Sequence, residues 1–459
     1  MFKRTVDAVQ KDWQLFLQNV WLDRQLFYRP GEAGWQRQSI GFHWGVLLIG
    51  VIAFFWSPMP QDDLLRHIHA MAYDYDYRQM FDGYPYPFDA WYLFDVFAGH
   101  LYQWLGVAGI KLIQTLSVMV FAWGVGLNLQ RVHPDWRLWV VLLAVWWVGE
   151  RFLTGRPTMF ETGLLFLAIG LAESGLQQKH PKLEIGLHLA LGCLMASFYH
   201  LFFIYLLPLL LWRKIYFVPL ILGGIGWTFF TDGRYLQEVW EIFHFGSMRI
   251  AGVQVSENRG GLFLTLLLAL SVVLFVWDKR QWRYYVTFVW FSLPMQVRYV
   301  ADNLVPLTLI LWAKQLNIRP HPFWILIGFV MVKSAIGTGD FWLFEPKLHY
   351  AEEKRLVTPE HYFEQGDHVL AEYLGLNFWA VHQGAAEHIR VAPAMEIGFA
   401  APDIQKIGVT HQLSCKLLYQ HQFTKVVEKT LVSLLLPCLS LDYATPEGIK
   451  IWRVLPPPR

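Results

Sequence analysis

The stretch that decides the fold class is IGFHWGVLLIGVIAFFW, residues 40–56, which runs directly into SPMPQDDLLRHIHA, residues 57–70. The first segment is apolar over nearly the roughly 20 residues that a helix needs to cross a bilayer. Pro58 and Pro60 are expected to end that helix, because proline interrupts a helix interior. The second segment then brings two adjacent aspartates, an arginine and two histidines to the boundary. Such a group indicates either a plain helix end or an active site built against a membrane.

The composition of the whole chain favours a membrane protein. Of its 459 residues 55% are hydrophobic and 16% are charged, which is too apolar for an ordinary soluble domain. Aromatic residues make up 17%, including 23 tryptophans, and such rings are favourable at membrane–water boundaries. The formal net charge is +2, and we find no dense Lys/Arg patch with interleaved aromatics. Nucleic-acid binding is therefore not indicated.

Apolar windows recur along the chain and predict a polytopic α-helical membrane protein of about 11 transmembrane helices. The windows cover residues 40–57, 106–129, 138–149, 158–175, 184–199, 201–212, 215–230, 260–277, 284–296, 303–313 and 322–338. Alternate gaps between them carry basic residues, which the positive-inside rule assigns to the cytoplasm. These are Arg131 and Arg137, Lys179 and Lys182, Arg213 and Lys214, Lys279, Arg280 and Arg283, and Lys314 and Arg319.

This topology divides the chain into two domains. Residues 1–339 form the predicted transmembrane domain, with a cytoplasmic N-terminus and outer loops at 57–105 and 231–259. Residues 340–459 contain no long apolar run and are predicted to form a small α/β domain on the outer face.

Short patterns in the C-terminal region support that α/β composition. KIGVTH, residues 406–411, and IKIWRVL, residues 449–455, are typical of strands, whereas HVLAEYLGL, residues 368–376, is typical of a helix. Cys415 and Cys438 both fall in this region, and an outer compartment would permit a disulfide between them. The spacing alone leaves that pairing open.

The first predicted outer loop, residues 57–105, begins with the ionisable residues of the segment 57–70. From Gln61 onward the loop has helical spacing, which places Asp62, Arg66 and His69 on one face. Asp63 and His67 share a neighbouring face. The simpler interpretation is a solvated helix N-terminus, since short acidic motifs are common. The alternative is a reactive site with a base, a cation and titratable imidazoles.

The arrangement resembles the GT-C superfamily of integral-membrane glycosyltransferases. In that family a carboxylate pair stands at the start of the first outer loop, and Asp62 and Asp63 match it. TGRPTMFETGLLFLAIGLAE, with Arg156 before the proline, is similar to the fourth-span region of those enzymes. QVRYVADNLVP, with Arg298, is similar to an Arg-Tyr that precedes a proline-containing span. The resemblance in overall architecture to these enzymes extends along nearly the whole chain.

The resemblance implies a site for sugar transfer from a polyprenyl phosphate. Asp62 would be the base that accepts the proton of the acceptor hydroxyl, with Asp63 beside it. Positive charge would hold the departing phosphate, because the fork of an arginine matches phosphate geometry. The phosphate-binding candidates are Arg298, Arg156, Arg66 and His200, and the candidates for sugar or acceptor contacts are His67, His69, Tyr84 and Tyr86.

Each of these candidates also has a purely structural interpretation. The arginines can be ion-paired or can extend toward water from an apolar segment, and His200 is more simply an interfacial histidine. No obligatory cofactor is predicted, although some GT-C enzymes use a divalent ion. His67 and His69 lie about 200° apart on a helix, so an undistorted helix would not present both to one metal.

The resulting functional hypothesis is an inverting glycosyltransferase. It would be a multi-pass protein of the bacterial inner membrane with a periplasmic C-terminal domain. Its acceptor would be a cell-envelope glycan, a lipid-linked saccharide or a pilin-like protein. The alternative is a transporter or flippase of a lipid-linked or small polar substrate, which would also have many apolar helices. A non-catalytic scaffold is a third interpretation.

Overall fold

The structure of the chain is a computed structural model that describes part of its residues. The described residues are 34–56, 64–74, 76–83, 91–129, 134–147, 157–173, 180–199, 214–237, 249–250, 253–254, 306, 309–310, 313, 361–372, 374–393, 401, 403–404, 407, 413–429, 436–446 and 448–457.

The N-terminal part is mainly helical in its described ranges. Its helices are α1 (Gly34–Trp56), α2 (Leu64–Ala72), α3 (Tyr77–Met80), α4 (Tyr92–Leu105), α5 (Val107–Leu127), α6 (Pro134–Trp147), α7 (Pro157–Glu173), α8 (Pro181–Phe198) and α9 (Lys214–Phe230). A short antiparallel hairpin follows α9, with β1 at Arg249–Ile250 and β2 at Val253–Gln254. This hairpin lies within the predicted second outer loop.

The prediction of about eleven transmembrane helices is wrong. Within the described ranges one helix, α5, is both long enough and apolar enough to span a membrane. The apolar parts of α1, α7 and α9 are shorter, covering Phe42–Phe55, Met159–Ala172 and Val218–Phe230. A helix of 14 residues is only about 21 Å long, well short of a hydrocarbon core of roughly 30 Å. Hydropathy overestimated the number because it also detects apolar helices that pack on one another.

Four of the counted windows, 201–212, 260–277, 284–296 and 322–338, lie outside the described residues. Of the window 303–313, only residues 306, 309, 310 and 313 are described, and all four are helical.

Helix α5 is the centre of the helical part, with α1, α4, α6 and α7 packed around it. Its contact with α7 is close because glycines meet there. A Cβ added to Gly124 would lie 2.7 Å from the carbonyl oxygen of Gly163. The α8–α9 contact is equally tight, since a Cβ on Gly192 would lie 1.9 Å from the carbonyl oxygen of Leu220. Small residues therefore set the spacing of these helix pairs.

Several large apolar side chains point outward from the helical part. Trp44, Leu48 and Phe55 on α1 are more than half exposed, as are Phe229 and Phe230 at the end of α9. The three residues of α1 share one face by helical spacing, and an exposed apolar face of this kind marks an interaction surface.

Among its described residues, the C-terminal part contains a mixed five-stranded sheet and two helices with defined bounds. In chain order these are β3 (His368–Ala371), α10 (Leu374–Gly384), β4 (Arg390–Pro393), α11 (Cys415–Gln420), β5 (Lys425–Glu428), β6 (Leu439–Ala444) and β7 (Lys450–Val454). The strand order is β4-β3-β5-β7-β6. Strands β4, β3 and β5 are parallel, and β7 is antiparallel to both β5 and β6.

The short sequence patterns of this region had mixed outcomes. The strand predicted at IKIWRVL is confirmed as β7. The helix predicted for residues 368–376 is wrong in its first half, which is strand β3 before α10 begins. Val369, Leu370 and Ala371 are all buried, so the continuous apolar run of a central parallel strand imitates a buried helix. In the predicted strand 406–411, Ile407 is helical and the other residues lie outside the described ranges.

Candidate active site

Helix α2 follows the Asp62–Asp63 pair in the sequence and lies between the two parts of the molecule. It packs against α4 on one side and against α10 of the C-terminal part on the other. Leu64 and Ile68 are fully buried in the main hydrophobic core. The helix predicted from Gln61 onward is thus seen over Leu64–Ala72, and burial of its apolar face anchors it.

His67 belongs to a buried network with Asp95 and Tyr77. Its Nδ1 lies 2.7 Å from Oδ1 of Asp95 and 2.9 Å from the Tyr77 hydroxyl. That hydroxyl donates to the second oxygen of Asp95 at 2.5 Å. All three side chains are at most 4% exposed. The network ties α2 to α3 and α4 and so determines how the start of α2 is oriented.

Arg66 is buried beside this network rather than extended into solvent. Its guanidinium carbon lies 5.1 Å from the ring centre of Trp91 and 5.5 Å from that of Tyr77. Such distances are within the range of a cation–π interaction, which is stronger when water is excluded. The positive charge is therefore kept close to α2 by aromatic rings.

His69 points away from His67, toward the C-terminal part. Its Nε2 lies 2.5 Å from Nδ1 of His382 on α10, and both imidazoles are buried. Burial first, and then the neighbouring His382, lower the pKa of His69 well below its usual 6.5. His69 is accordingly neutral at physiological pH, and its contact with His382 joins two distant segments by a hydrogen bond.

A second contact joins the first outer loop to the C-terminal sheet. The Asp82 carboxylate lies 2.5 Å from Nε2 of His368 and 2.9 Å from Nε of Arg390. Next to it, Phe81 forms a parallel bridge with Val391 of β4. The loop residues after α3 therefore add to the edge of the sheet.

The disulfide left open by the sequence is present between Cys415 and Cys438. It joins the start of α11 to the residue before β6, and both cysteines lie in a second hydrophobic cluster of the C-terminal part. Disulfides of this kind are typical of oxidising compartments.

Only part of the predicted site can be located. Arg66, His67 and His69 are described, and the structure brings all three into the buried junction around α2. The other predicted site residues, namely Asp62, Asp63, Tyr84, Tyr86, Arg156, His200 and Arg298, lie outside the described residues. Within the described ranges no group of three metal-ligating side chains occurs.

Three important residues of the junction did not emerge from the sequence. Asp95 and Tyr77 lie in the aromatic and acidic stretches YDYDY and FDAWYLFD, but nothing in those stretches distinguishes them from their neighbours. His382 lies 313 positions from its partner His69. A pairing at that distance leaves no local pattern.

Comparison with known proteins adds no assignment. No family model matches the chain, and no curated protein matches it. The functional argument therefore depends on the chemistry of the site.

Proposed function

We propose that the chain is a membrane-associated glycosyltransferase that moves a sugar from a polyprenyl-phosphate donor to an acceptor hydroxyl. The observation that carries the proposal is the position of α2. This helix directly follows the Asp62–Asp63 pair and is buried between the apolar helices and the C-terminal part. A donor with an isoprenoid tail and a polar acceptor would have to meet at such a junction.

In the proposed reaction Asp62 accepts the proton of the acceptor hydroxyl. The acceptor oxygen forms a bond to the anomeric carbon while the bond from that carbon to the phosphate oxygen breaks. The polyprenyl phosphate leaves as an anion, with inversion at the anomeric carbon. Arginine charge stabilises that anion, and Arg66, Arg156 and Arg298 are the candidates, together with His200.

Neighbouring side chains would contact the sugars. Tyr84 and Tyr86 are the proposed acceptor or sugar contacts. Burial of His67 and His69 favours an indirect role for both, in which they hold α2 in place. No obligatory metal is part of the proposal, and a divalent ion is an optional activator.

Two further features support action at the outer face of a bacterial inner membrane. The outward apolar residues of α1 and α9 are suited to lipid contact, and α5 is a candidate membrane span. The Cys415–Cys438 disulfide favours a periplasmic location for the C-terminal part.

The test is sugar transfer by membranes that contain Asp62→Asn. With tritiated polyprenyl-phosphate hexoses and pentoses as donors, we expect transfer to fall at least 100-fold, the usual contribution of a positioned base. Asp76→Asn is the matched control, because Asp76 is a partly exposed carboxylate of the same loop and should keep the wild-type rate. An Asp62→Asn protein that forms its disulfide and still transfers sugar at the wild-type rate would exclude this base.

A transporter is the second candidate, and one observation favours it. Glu161 of α7 is fully buried, and neither carboxylate oxygen has a hydrogen-bond partner among the described residues. An ionisable group in an apolar helix layer is costly and often belongs to a substrate or proton pathway. The test is substrate uptake by proteoliposomes that contain the protein. Uptake by wild type that is lost in Glu161→Gln, together with no sugar transfer by wild type, would favour the transporter.

A further inference from the structure

We propose that the contact between His69 and His382 is an acid-sensitive latch between α2 and the C-terminal part. The two residues lie on helices that are separated by most of the chain, yet their nitrogens are 2.5 Å apart in a buried environment. The proposal concerns the docking of α10 on α2 and does not depend on the reaction that the protein catalyses.

The hydrogen bond between His69 and His382 depends on how many protons the two facing nitrogens carry. In the neutral pair one imidazole nitrogen donates its hydrogen and the facing nitrogen accepts it. A first added proton keeps a hydrogen bond but places a charge in a buried site. A second added proton turns both facing nitrogens into donors, so the hydrogen bond is lost and two cations face each other. The docked arrangement is therefore specific for the neutral state.

Two tyrosine rings flank His69 in this buried contact. Among the described residues, Tyr73 at the end of α2 and Tyr102 of α4 lie with ring centres 5.4 and 5.5 Å from that of His69. Burial raises the pKa of Tyr102, and Tyr73 raises it further through its charge and a hydrogen bond. The Tyr102 phenol therefore stays neutral. His388 contacts the main-chain oxygen of Tyr73 at 3.1 Å.

The contact at Asp82 is separate from the histidine pair. The Asp82 carboxylate contacts both His368 and Arg390, which attach the loop after α3 to the sheet. Loosening of the α2–α10 contact is therefore expected to be local and not to release the whole C-terminal part.

The direction of the pH effect follows from the lowered pKa of His69. A released histidine would titrate near 6.5, whereas the docked one takes up a proton only at a lower pH. Docking is therefore fully favourable above pH 6.5 and weakens as the pH falls below it. For His69 the loss amounts to at most about tenfold in the docking equilibrium per pH unit.

Amide hydrogen exchange of the full chain in detergent or lipid nanodiscs, from pH 8 to pH 5, tests the latch. After correction for the intrinsic pH dependence, peptides from Leu64–Ala72 and Leu374–Gly384 should open at least tenfold more often at pH 5 than at pH 8. Peptides from Lys450–Val454 serve as the internal reference. A wild-type profile that is flat relative to this reference overturns the proposal.

Two substitutions identify the histidines responsible. His69→Gln retains an amide nitrogen close to the position of Nε2, and His382→Asn retains one close to that of Nδ1. The double variant should have no pH-dependent opening, and each single variant should have a smaller slope than wild type. His361→Gln, which changes an exposed imidazole, should behave like wild type. A wild-type slope in both single variants would also overturn the proposal.

Discussion

Asp95 of α4 contacts His67 of α2 with 2.7 Å between Oδ1 and Nδ1, and its second oxygen accepts the hydroxyl of Tyr77. One carboxylate thereby connects three helices in the core. Since a buried carboxylate needs such partners, the three side chains stabilise one another. Their joint effect is a fixed position for the start of α2.

Asp95→Asn should therefore destabilise the protein. An amide cannot accept both hydrogen bonds, and its NH₂ group would face another donor, so we expect a loss of about 2 kcal/mol in the free energy of unfolding. Guanidinium unfolding followed by tryptophan fluorescence measures this loss. The control is Asp76→Asn, which retains the N-cap of α3 and changes only an exposed pair with Arg78. Equal stability of the two variants would contradict the role of Asp95.

Removal of the disulfide should destabilise the C-terminal part. Cys415 and Cys438 are 23 positions apart, and closing a loop of that length stabilises a fold by about 3 kcal/mol in the chain-entropy treatment. We expect Cys415→Ser, or reduction of the wild type, to lower the free energy of unfolding by that amount, which is measured as a lower unfolding midpoint. Cys193→Ala is the control, because Cys193 is a free cysteine and should have a much smaller effect. No shift on reduction would refute the expectation.

Gly124→Ala should disturb the packing of α5 on α7. The new methyl group would lie 2.7 Å from the carbonyl oxygen of Gly163, and backbone atoms cannot move aside cheaply. We expect a loss of about 2 kcal/mol, as for other overpacked sites. Gly45→Ala of α1 meets no atom within 4 Å and should be neutral or slightly stabilising. Thermal unfolding in detergent compares the two, and an unchanged midpoint for Gly124→Ala would contradict the close approach.

Asp442→Asn should destabilise the sheet in a pH-dependent manner. Burial alone would raise the pKa of Asp442, but Lys425 at 2.5 Å and Arg453 at 3.2 Å outweigh it and lower the pKa below 3.8. Without this carboxylate the buried Lys425 ammonium has lost its ion-pair partner, at a cost of about 3 kcal/mol near neutral pH.

The pH profile provides the check on that assignment. A lowered carboxyl pKa contributes stability above pH 3.8 that is lost as the pH falls through the folded-state pKa. The difference in unfolding free energy between wild type and Asp442→Asn should thus shrink below pH 4. Glu364→Gln, at an exposed carboxylate 4.0 Å from Arg453, should match wild type throughout. A constant difference down to pH 2 would contradict the ion-pair explanation.

Local sequence pattern predicts several elements correctly for a clear physical reason. The alternation and spacing of apolar residues report which face of a segment is buried, and this locates α2, α5 and β7. The apolar pattern of the sequence was misleading where two kinds of secondary structure produce the same pattern. Strand β3 is buried on both faces and was predicted as a helix, and short apolar helices were predicted as membrane spans. The number of spans depends on helix length and packing, which hydropathy does not measure.

The residues alone thus determined that ionisable side chains follow an apolar helix and that a helix carries Arg66, His67 and His69. Only the tertiary structure decided their partners, which are two aromatic rings, Asp95 and His382. Helix periodicity is local, so it specifies the faces of α2. Partners across hundreds of positions depend on how whole helices pack, and that information is distributed over the entire core.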